Sequence, residues 1–272
     1  MKTVKYQMLN LQFWAALLDL ELSILFQPFI CTPAVAGMPL GLLKKLSLKI
    51  AVYIGMTSFV FVCFSIVVIF ENRYFLLFVK QSWWRHGRYW LLGFNYFVAA
   101  VYMVPTILSV PDQDLARAEL FKNLPQLREY DTPESPIFVL AVDNFWINIL
   151  QSSVALLLSS QIIIFMQLLR TNMKKQFKST TASTRTMHMQ KEFLRALNMQ
   201  IFFPFLIVLF PAIILGVFGT FGVYNQAANN FIFLITSIHG AASTILMIYL
   251  QKPYRDFCTK LVHREGHSSR AS

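Results

Sequence analysis

The sequence is short of charged residues, which make up 14% of its 272 positions. Soluble domains carry about 25% charged residues, because a folded surface has to stay hydrated. Hydrophobic residues make up 56% of the chain, phenylalanine alone occupies 26 positions, and the mean hydropathy is +0.52. This balance excludes an ordinary soluble domain and indicates a protein that lies in a membrane.

Cysteine is also scarce, with three residues in the chain. Cys31 falls in the first loop, Cys63 inside a long apolar run and Cys258 near the C-terminus, so no pair is placed to bridge the acidic loop at 111–136. The chain lacks an N-x-Ser/Thr sequon, and its polar first nine residues are not those of a cleavable signal peptide. Cysteine therefore says nothing about the fold.

The sequence motifs of the common enzyme classes are missing as well. There is no H-E-x-x-H zinc motif, no phosphate-binding loop, no G-x-S-x-G turn and no Cys/His cluster with metal-ligand spacing. The sequence therefore predicts a protein that is not an enzyme and that holds neither a metal nor a cofactor.

Apolar runs long enough to cross a membrane recur along the chain. A helix needs about 20 apolar residues to span a hydrocarbon core of about 30 Å. In lipid, the backbone polar groups are satisfied only in helices or closed barrels, and no run shows the alternation of a barrel strand. We predict an all-α, polytopic membrane helix bundle at 1–250 and a cytoplasmic tail at 251–272. Its six transmembrane spans lie at 8–30, 48–70, 89–110, 137–169, 196–223 and 231–250.

Lysine and arginine are distributed unevenly between the loops. With a cytoplasmic N-terminus, the inner segments hold 18 of the 24 basic residues, and Lys44 and Lys45 are among the six outside. Basic loops stay on the cytoplasmic side, so this orientation is favoured, and Trp83, Trp84 and Trp90 mark a membrane boundary as an aromatic belt. The net charge of +11 then suits the anionic inner leaflet, and we expect no nucleic-acid partner.

A charged segment ends the apolar run of the second predicted span. The segment "FENRY" at 70–74 places Glu71 and Arg73 where the span meets the cytoplasm, and charges there are costly unless they are paired or reach water. One interpretation makes Arg73 an interfacial anchor. The other is a switch, in which Arg73 is held by Glu71 or by Glu192, the one carboxylate of the basic loop at 170–195, and is released towards a cytoplasmic partner.

The acid-x-Arg-Tyr pattern, completed by Tyr74, resembles the Asp/Glu-Arg-Tyr signature of seven-helix G-protein-coupled receptors. The chain as a whole resembles the nematode serpentine receptors of class H more closely. The stretches that carry the resemblance run in family order: "LNLQFW" (9–14), "AGMPLGLL" (36–43), "FENRY" (70–74), "PDQDLAR" (111–117), "YNQAANN" (224–230), "SIHGAAST" (237–244) and "PYR" (253–255). The resemblance implies a chemosensory receptor in the plasma membrane of sensory neurons, which binds a small molecule and activates a heterotrimeric G protein.

The resemblance also implies one more span than the six predicted here. Members of the family have seven spans and an outer N-terminus, whereas "MKTVKYQ" at 1–7 is similar to their first cytoplasmic loop. We therefore expect that the first helix is missing and that the chain as written signals poorly. One alternative function is a non-signalling truncated receptor fragment. The other is a polytopic transporter, although the chain shows no internal duplication of the kind common in transporters.

Polar and proline residues inside the predicted spans have two interpretations each. By its position nine residues after Asn10, Asp19 resembles the sodium-binding acid of rhodopsin-like receptors; alternatively, it is neutralised, for instance by a polar neighbour. Pro204 and Pro211 are seven residues apart and so share one helix face. They either form a hinge or are tolerated without movement.

The last predicted span and the tail hold the remaining candidates. Asn229 and Asn230 bond between helices or line a binding pocket. His239 is a lone histidine on an apolar helix, which favours a packed, hydrogen-bonded side chain over a metal ligand. Cys258 is either an acylation site or part of an ordinary polar tail.

Overall fold

Long helices carry most of the described chain. A computed structural model describes residues 2–44, 46–179 and 213–250, together with Met199, Leu206, Phe210 and Arg255. The helices with defined bounds are α1 (Lys2–Leu20), α2 (Leu48–Tyr74), α3 (Trp84–Val101), α4 (Val104–Leu108), α5 (Gln113–Asn123), α6 (Phe145–Ser179), α7 (Gln226–Ser237) and α8 (His239–Leu250). Residues 213–221 are helical as well. Wider π turns extend α1 over Glu21–Leu25 and α2 over Phe75–Val79.

Four of the described helical segments are long and apolar enough to cross a membrane. They are Tyr6–Leu25, Leu48–Val79, Trp84–Leu108 and Phe145–Lys175. Large apolar side chains such as Trp90 and Leu156 stand exposed on their outer faces, where acyl chains rather than water would cover them. This arrangement agrees with the predicted helical membrane bundle. The fifth predicted span, at 196–223, lies mostly outside the described residues.

Helix ends differ from the predicted spans in several places. The predicted first span, 8–30, ends in the strand Pro28–Ile30, and the third helix begins at Trp84 and not at residue 89. α2 begins at Leu48 as predicted but continues beyond Phe70, so the FENRY segment lies within the helix and not at its edge. The predicted fourth span, 137–169, divides into a strand and the helix that begins at Phe145. The predicted last span is broken at Ile238, between α7 and α8. A short apolar run has the same composition in a buried strand as in a helix, so hydropathy alone does not separate them.

A three-stranded antiparallel sheet, which the sequence did not predict, packs at one end of the bundle. Its strands are β1 (Pro28–Ile30), β2 (Val35–Pro39) and β3 (Phe138–Ala141), in the order β1-β2-β3. At Gly37 a Cβ atom would overlap the carbonyl oxygen of Phe29, so the two strands approach closely because this residue is glycine. We call the sheet together with α5 the sheet cap. The orientation predicted from the basic residues places it outside the cell.

The sheet cap has an apolar core of its own. Phe29, Met38, Leu120 and Leu127 are buried there together with Cys31. Burial raises the pKa of the Cys31 thiol to about 12, because a thiolate is poorly solvated among apolar side chains. The thiol is therefore protonated at neutral pH. Cys31 is a free cysteine in the described structure.

The helices are joined by polar bonds as well as by apolar packing. α2 is central and contacts α1, α3 and α6. The Asn10 amide of α1 donates to the Ser65 hydroxyl of α2 at 2.8 Å. Asn95 of α3 and Gln161 of α6 exchange two hydrogen bonds, of 2.7 and 3.0 Å, and both side chains are buried. Such bonds fix which helix faces meet, since apolar surfaces alone slide easily past one another in lipid.

Candidate functional site

The FENRY segment lies at the end of α2 that is remote from the sheet cap. At 1.5 Å per residue, Glu71 is about 35 Å along the helix from Leu48. Glu71 is fully buried and Asn72 is 1% exposed. An ionisable group so deep in the molecule needs specific partners, because its desolvation is otherwise costly.

The partners of Glu71 come from the first turns of α3. The Trp84 indole donates from Nε1 to Oε1 of Glu71 at 2.9 Å, and the Arg88 guanidinium donates from Nη2 to Oε2 at 2.9 Å. Arg88 also donates to Oδ1 of Asn72 at 3.3 Å. Each carboxylate oxygen thus accepts a hydrogen bond, and one bond comes from a cation. We call Glu71, Asn72, Trp84 and Arg88 the Glu71 clasp.

Arg88 is packed against an aromatic ring as well as hydrogen-bonded. The Arg88 side chain is 11% exposed, and its guanidinium lies 4.1 Å from the centre of the Phe75 ring. This geometry is that of a cation–π contact, which adds to the ion pair. Removing Arg88 would leave the Glu71 carboxylate buried without a counter-ion, a change that costs about 3 kcal/mol or more in proteins.

The observed ion pair of Glu71 differs from the predicted pair with Arg73. Residues 71 and 73 are about 200° apart around a helix, so their side chains leave α2 in different directions. Arg73 is partly buried. The sequence held a signal for the observed pair, since Trp84 and Arg88 are four residues apart and share a helix face. Of the three tryptophans of the predicted aromatic belt, Trp84 bonds to Glu71, whereas Trp83 and Trp90 are exposed. The belt itself stays a prediction.

The other predicted switch and hinge residues are only partly within the described structure. Tyr74 packs between helices, with its ring centre 6.1 Å from that of Phe165 on α6. The remaining four lie outside the described residues: Glu192, Pro204, Pro211 and Cys258. Their predicted roles stay predictions.

Asp19 reaches the break in the last predicted span. Its carboxylate oxygens accept hydrogen bonds from the backbone N–H groups of Gly240 at 3.2 Å and Ala241 at 3.1 Å, at the start of α8. A carboxylate in this place stabilises a helix N-terminus by satisfying free N–H groups and by opposing the helix dipole. These bonds correspond to the interpretation in which Asp19 has polar neighbours. The interpretation of Asp19 as a sodium-binding acid stays a prediction. His239 is the first residue of α8, and its side chain lies outside the description.

Amide side chains of α7 attach the bundle to the sheet cap. Asn229 is fully buried and donates to the carbonyl oxygen of Thr32 at 3.1 Å. Gln226 donates to the carbonyl oxygen of Ile30 at 3.1 Å and to Oδ1 of Asn230 at 2.9 Å. The two asparagines are predicted to bond between helices or to line a pocket. Asn229 instead bonds to the hairpin backbone, because the cap, absent from the prediction, occupies that end of the bundle.

A second buried acid was not among the predicted site residues. Glu21 is 1% exposed and accepts a hydrogen bond from the Ser58 hydroxyl at 2.9 Å through Oε1. Within the described part of the chain, its Oε2 atom has no hydrogen-bond partner. The same part holds no group of three or more metal-ligating side chains close enough to bind an ion.

The described structure has long apolar helices, with the Glu71 clasp at one end and the sheet cap, bonded to amide side chains of α7, at the other. This is the architecture of a multi-pass helical membrane protein. The chain belongs to the serpentine class H chemoreceptors, since the family model "Serpentine type 7TM GPCR chemoreceptor Srh" matches residues 1–264. It is 24% identical over 276 residues to Serpentine receptor class H-72 of Caenorhabditis elegans, which covers 98% of this chain and 78% of that relative. The family confirms the predictions of a membrane receptor and of a protein that is not an enzyme.

Proposed function

We propose that the protein is a chemosensory receptor of sensory neurons that binds a small molecule at its outer side and activates a heterotrimeric G protein at its cytoplasmic side. Its family supports this function. The observation that carries the proposal is the Glu71 clasp beside Arg73. Because Arg88 and Trp84 of α3 already satisfy the Glu71 carboxylate, Arg73 is not required to neutralise it. In the proposal, Arg73 acts on a partner other than Glu71.

In this mechanism Arg73 is the residue that couples to the G protein. Glu192 holds the Arg73 guanidinium in the resting state, and movement of the helices releases it towards the cytoplasm. An ion pair at a partly hydrated membrane boundary contributes about 1 kcal/mol, which biases a two-state equilibrium about fivefold. Such a bias keeps the resting state populated without locking it.

The test compares two substitutions that have opposite expected effects. Arg73→Ala should abolish G-protein activation, because the coupling contact is lost. Glu192→Gln should raise ligand-free activation about fivefold, because the resting pair is weakened. Both are measured as nucleotide exchange on the G protein at matched surface expression. They are measured in the chain preceded by the first helix of a class H relative, since the family has seven spans.

Arg85→Ala is the matched control, since Arg85 is an exposed arginine in the first turn of α3, three residues before Arg88. It should leave activation unchanged. Activation that survives in Arg73→Ala would reduce Arg73 to an interfacial anchor. Equal losses in Arg73→Ala and Arg85→Ala would point to a general charge effect.

A further inference from the structure

A cavity of about 290 Å³ lies between the sheet cap and the helical residues 213–221. Its walls come from parts of the chain that are far apart in sequence: the hairpin turn at Pro33, the helix α5, the strand β3 and the glycines Gly219 and Gly222. Rim residues such as Asn123 and Val142 are exposed, so the cavity opens to the surface. Its volume lies at the lower limit of ligand pockets, which measure about 300–1,000 Å³.

The lining combines apolar and polar groups with one charge. Leu120, Leu124 and Val139 form the apolar wall, and Asn123 and Asn144 add amide groups. Glu119 is the one charged residue among the described residues that line the cavity. The ion pairs found in the described structure are those of Arg88 with Glu71 and of Arg117 with Asp114. The Glu119 carboxylate is therefore available to a cation from solution.

The surrounding loop favours cations as well. Residues 111–136 hold six acidic and three basic side chains, whereas the whole chain has a net charge of +11. An acidic surface on an otherwise basic protein concentrates small cations near the cavity mouth. The acidic loop and the Glu119 carboxylate both favour a positively charged ligand, and the apolar wall favours a ligand with an apolar chain.

Glycine keeps part of the wall open. Gly219 lies within the helical residues 213–221, and a Cβ atom added to it would meet nothing within 4 Å. Because Gly219 lines the cavity and the space around an added Cβ is open, we expect a leucine at this position to reduce the volume of the cavity. Gly216, one helical turn earlier, also has open space around it but does not line the cavity.

We propose that this cavity binds a small primary ammonium compound, with its apolar chain against Leu120 and Val139 and its charged head at Glu119. The role of the cavity as the chemosensory ligand site rests on the proposed receptor function. Binding itself does not, because it requires no G protein.

The test uses the full chain in lipid nanodiscs with n-hexylamine as the probe and n-hexanol as its uncharged counterpart. Bound ligand stabilises the folded chain by RT ln(1 + [L]/Kd), so the thermal unfolding midpoint rises with the logarithm of the ligand concentration once that concentration exceeds Kd. n-Hexylamine should bind the unmodified chain more tightly than n-hexanol. Glu119→Gln should weaken n-hexylamine about fivefold, the loss expected for one partly hydrated ion pair, and leave n-hexanol unchanged. Gly219→Leu should abolish the effect of both probes.

Two matched controls separate the site from general effects. Gly216→Leu adds the same side chain outside the cavity, and Glu134→Gln removes an exposed charge from the same loop; both should bind n-hexylamine as the unmodified chain does. Undiminished binding in Gly219→Leu would overturn the site, and equal affinity in Glu119→Gln would overturn the ammonium assignment. No midpoint shift in the unmodified chain would overturn the proposal altogether. Binding of n-hexylamine without G-protein activation in the chain preceded by the first helix of a class H relative would contradict the proposed function alone.

Discussion

At the scale of single residues, the contact between Asp19 and Gly240 shows why one glycine is required. The Asp19 carboxylate caps the start of α8, and a Cβ atom at Gly240 would overlap that carboxylate. Two residues more than 200 positions apart thus depend on each other's size. The buried carboxylate of Glu71 depends on another residue in a different way, since Arg88 supplies the cation of its ion pair.

Gly240→Ala should lower the stability of the chain by about 1–2 kcal/mol, because the new methyl group displaces the capping carboxylate. The measurement is the thermal unfolding midpoint in nanodiscs. Gly93→Ala on α3 is the control, since a Cβ there meets nothing within 4 Å, and alanine in a helix is otherwise favourable. Adding Asp19→Ala to Gly240→Ala should cost little more. Fully additive losses would show that the two residues do not interact.

At the scale of elements, side-chain amides determine how the parts are joined. Asn95 and Gln161 link α3 to α6, whereas Gln226 and Asn229 link α7 to the hairpin of the sheet cap. Gln113 at the start of α5 also bonds to both the N–H and the carbonyl group of Val139, as a neighbouring strand would. This side chain protects the outer edge of β3 from unpaired backbone groups.

Asn95→Ala and Gln161→Ala should each destabilise the protein by about 1 kcal/mol, the usual scale for a polar bond between membrane helices. The double variant should lose little more than either single variant, because each substitution already breaks both bonds of the reciprocal pair. Equilibrium unfolding of all four chains measures this coupling. Ser160→Ala serves as the control on α6, because among the residues that the structure describes the Ser160 hydroxyl bonds within its own helix, to the carbonyl oxygen of Leu157. A coupling energy of zero would assign the pair no stabilising role.

At the scale of the whole molecule, the two ends of the bundle have different chemistry. One end carries the sheet cap with its acidic loop, and the other carries the Glu71 clasp. The 18 basic residues assigned to inner segments lie on the side of the clasp in the predicted orientation. The proposed ligand cavity and the proposed coupling site therefore face opposite compartments.

Reporter tags should place the C-terminal tail and residues 170–195 on the cytoplasmic side and residues 111–136 outside. The positive-inside rule is the physical reason, since translocating a basic loop against the membrane potential is unfavourable. A glycosylation acceptor inserted at Glu134 should be modified, and the same acceptor inserted after Ser183 should not. Modification at both positions, or at the second alone, would overturn this orientation.

The sequence by itself determined the membrane environment, the helical bundle and the receptor family. Hydropathy along a helix is a local property, and a run such as 48–70 is long enough to cross a bilayer whatever surrounds it. Family motifs are likewise read in linear order. The orientation predicted from the basic residues depends on loop composition in the same way.

Only the tertiary structure decided that Glu71 pairs with Arg88, that Asp19 caps α8 and that Phe138–Ala141 is a strand. Each of these outcomes depends on which distant segment lies beside the residue. A buried carboxylate pairs with the cation that packing brings within hydrogen-bonding distance. A cation two residues away in sequence does not reach it, because the helix points the two side chains in different directions. An apolar tetrapeptide becomes a strand when another strand offers it backbone partners, since its own composition satisfies none.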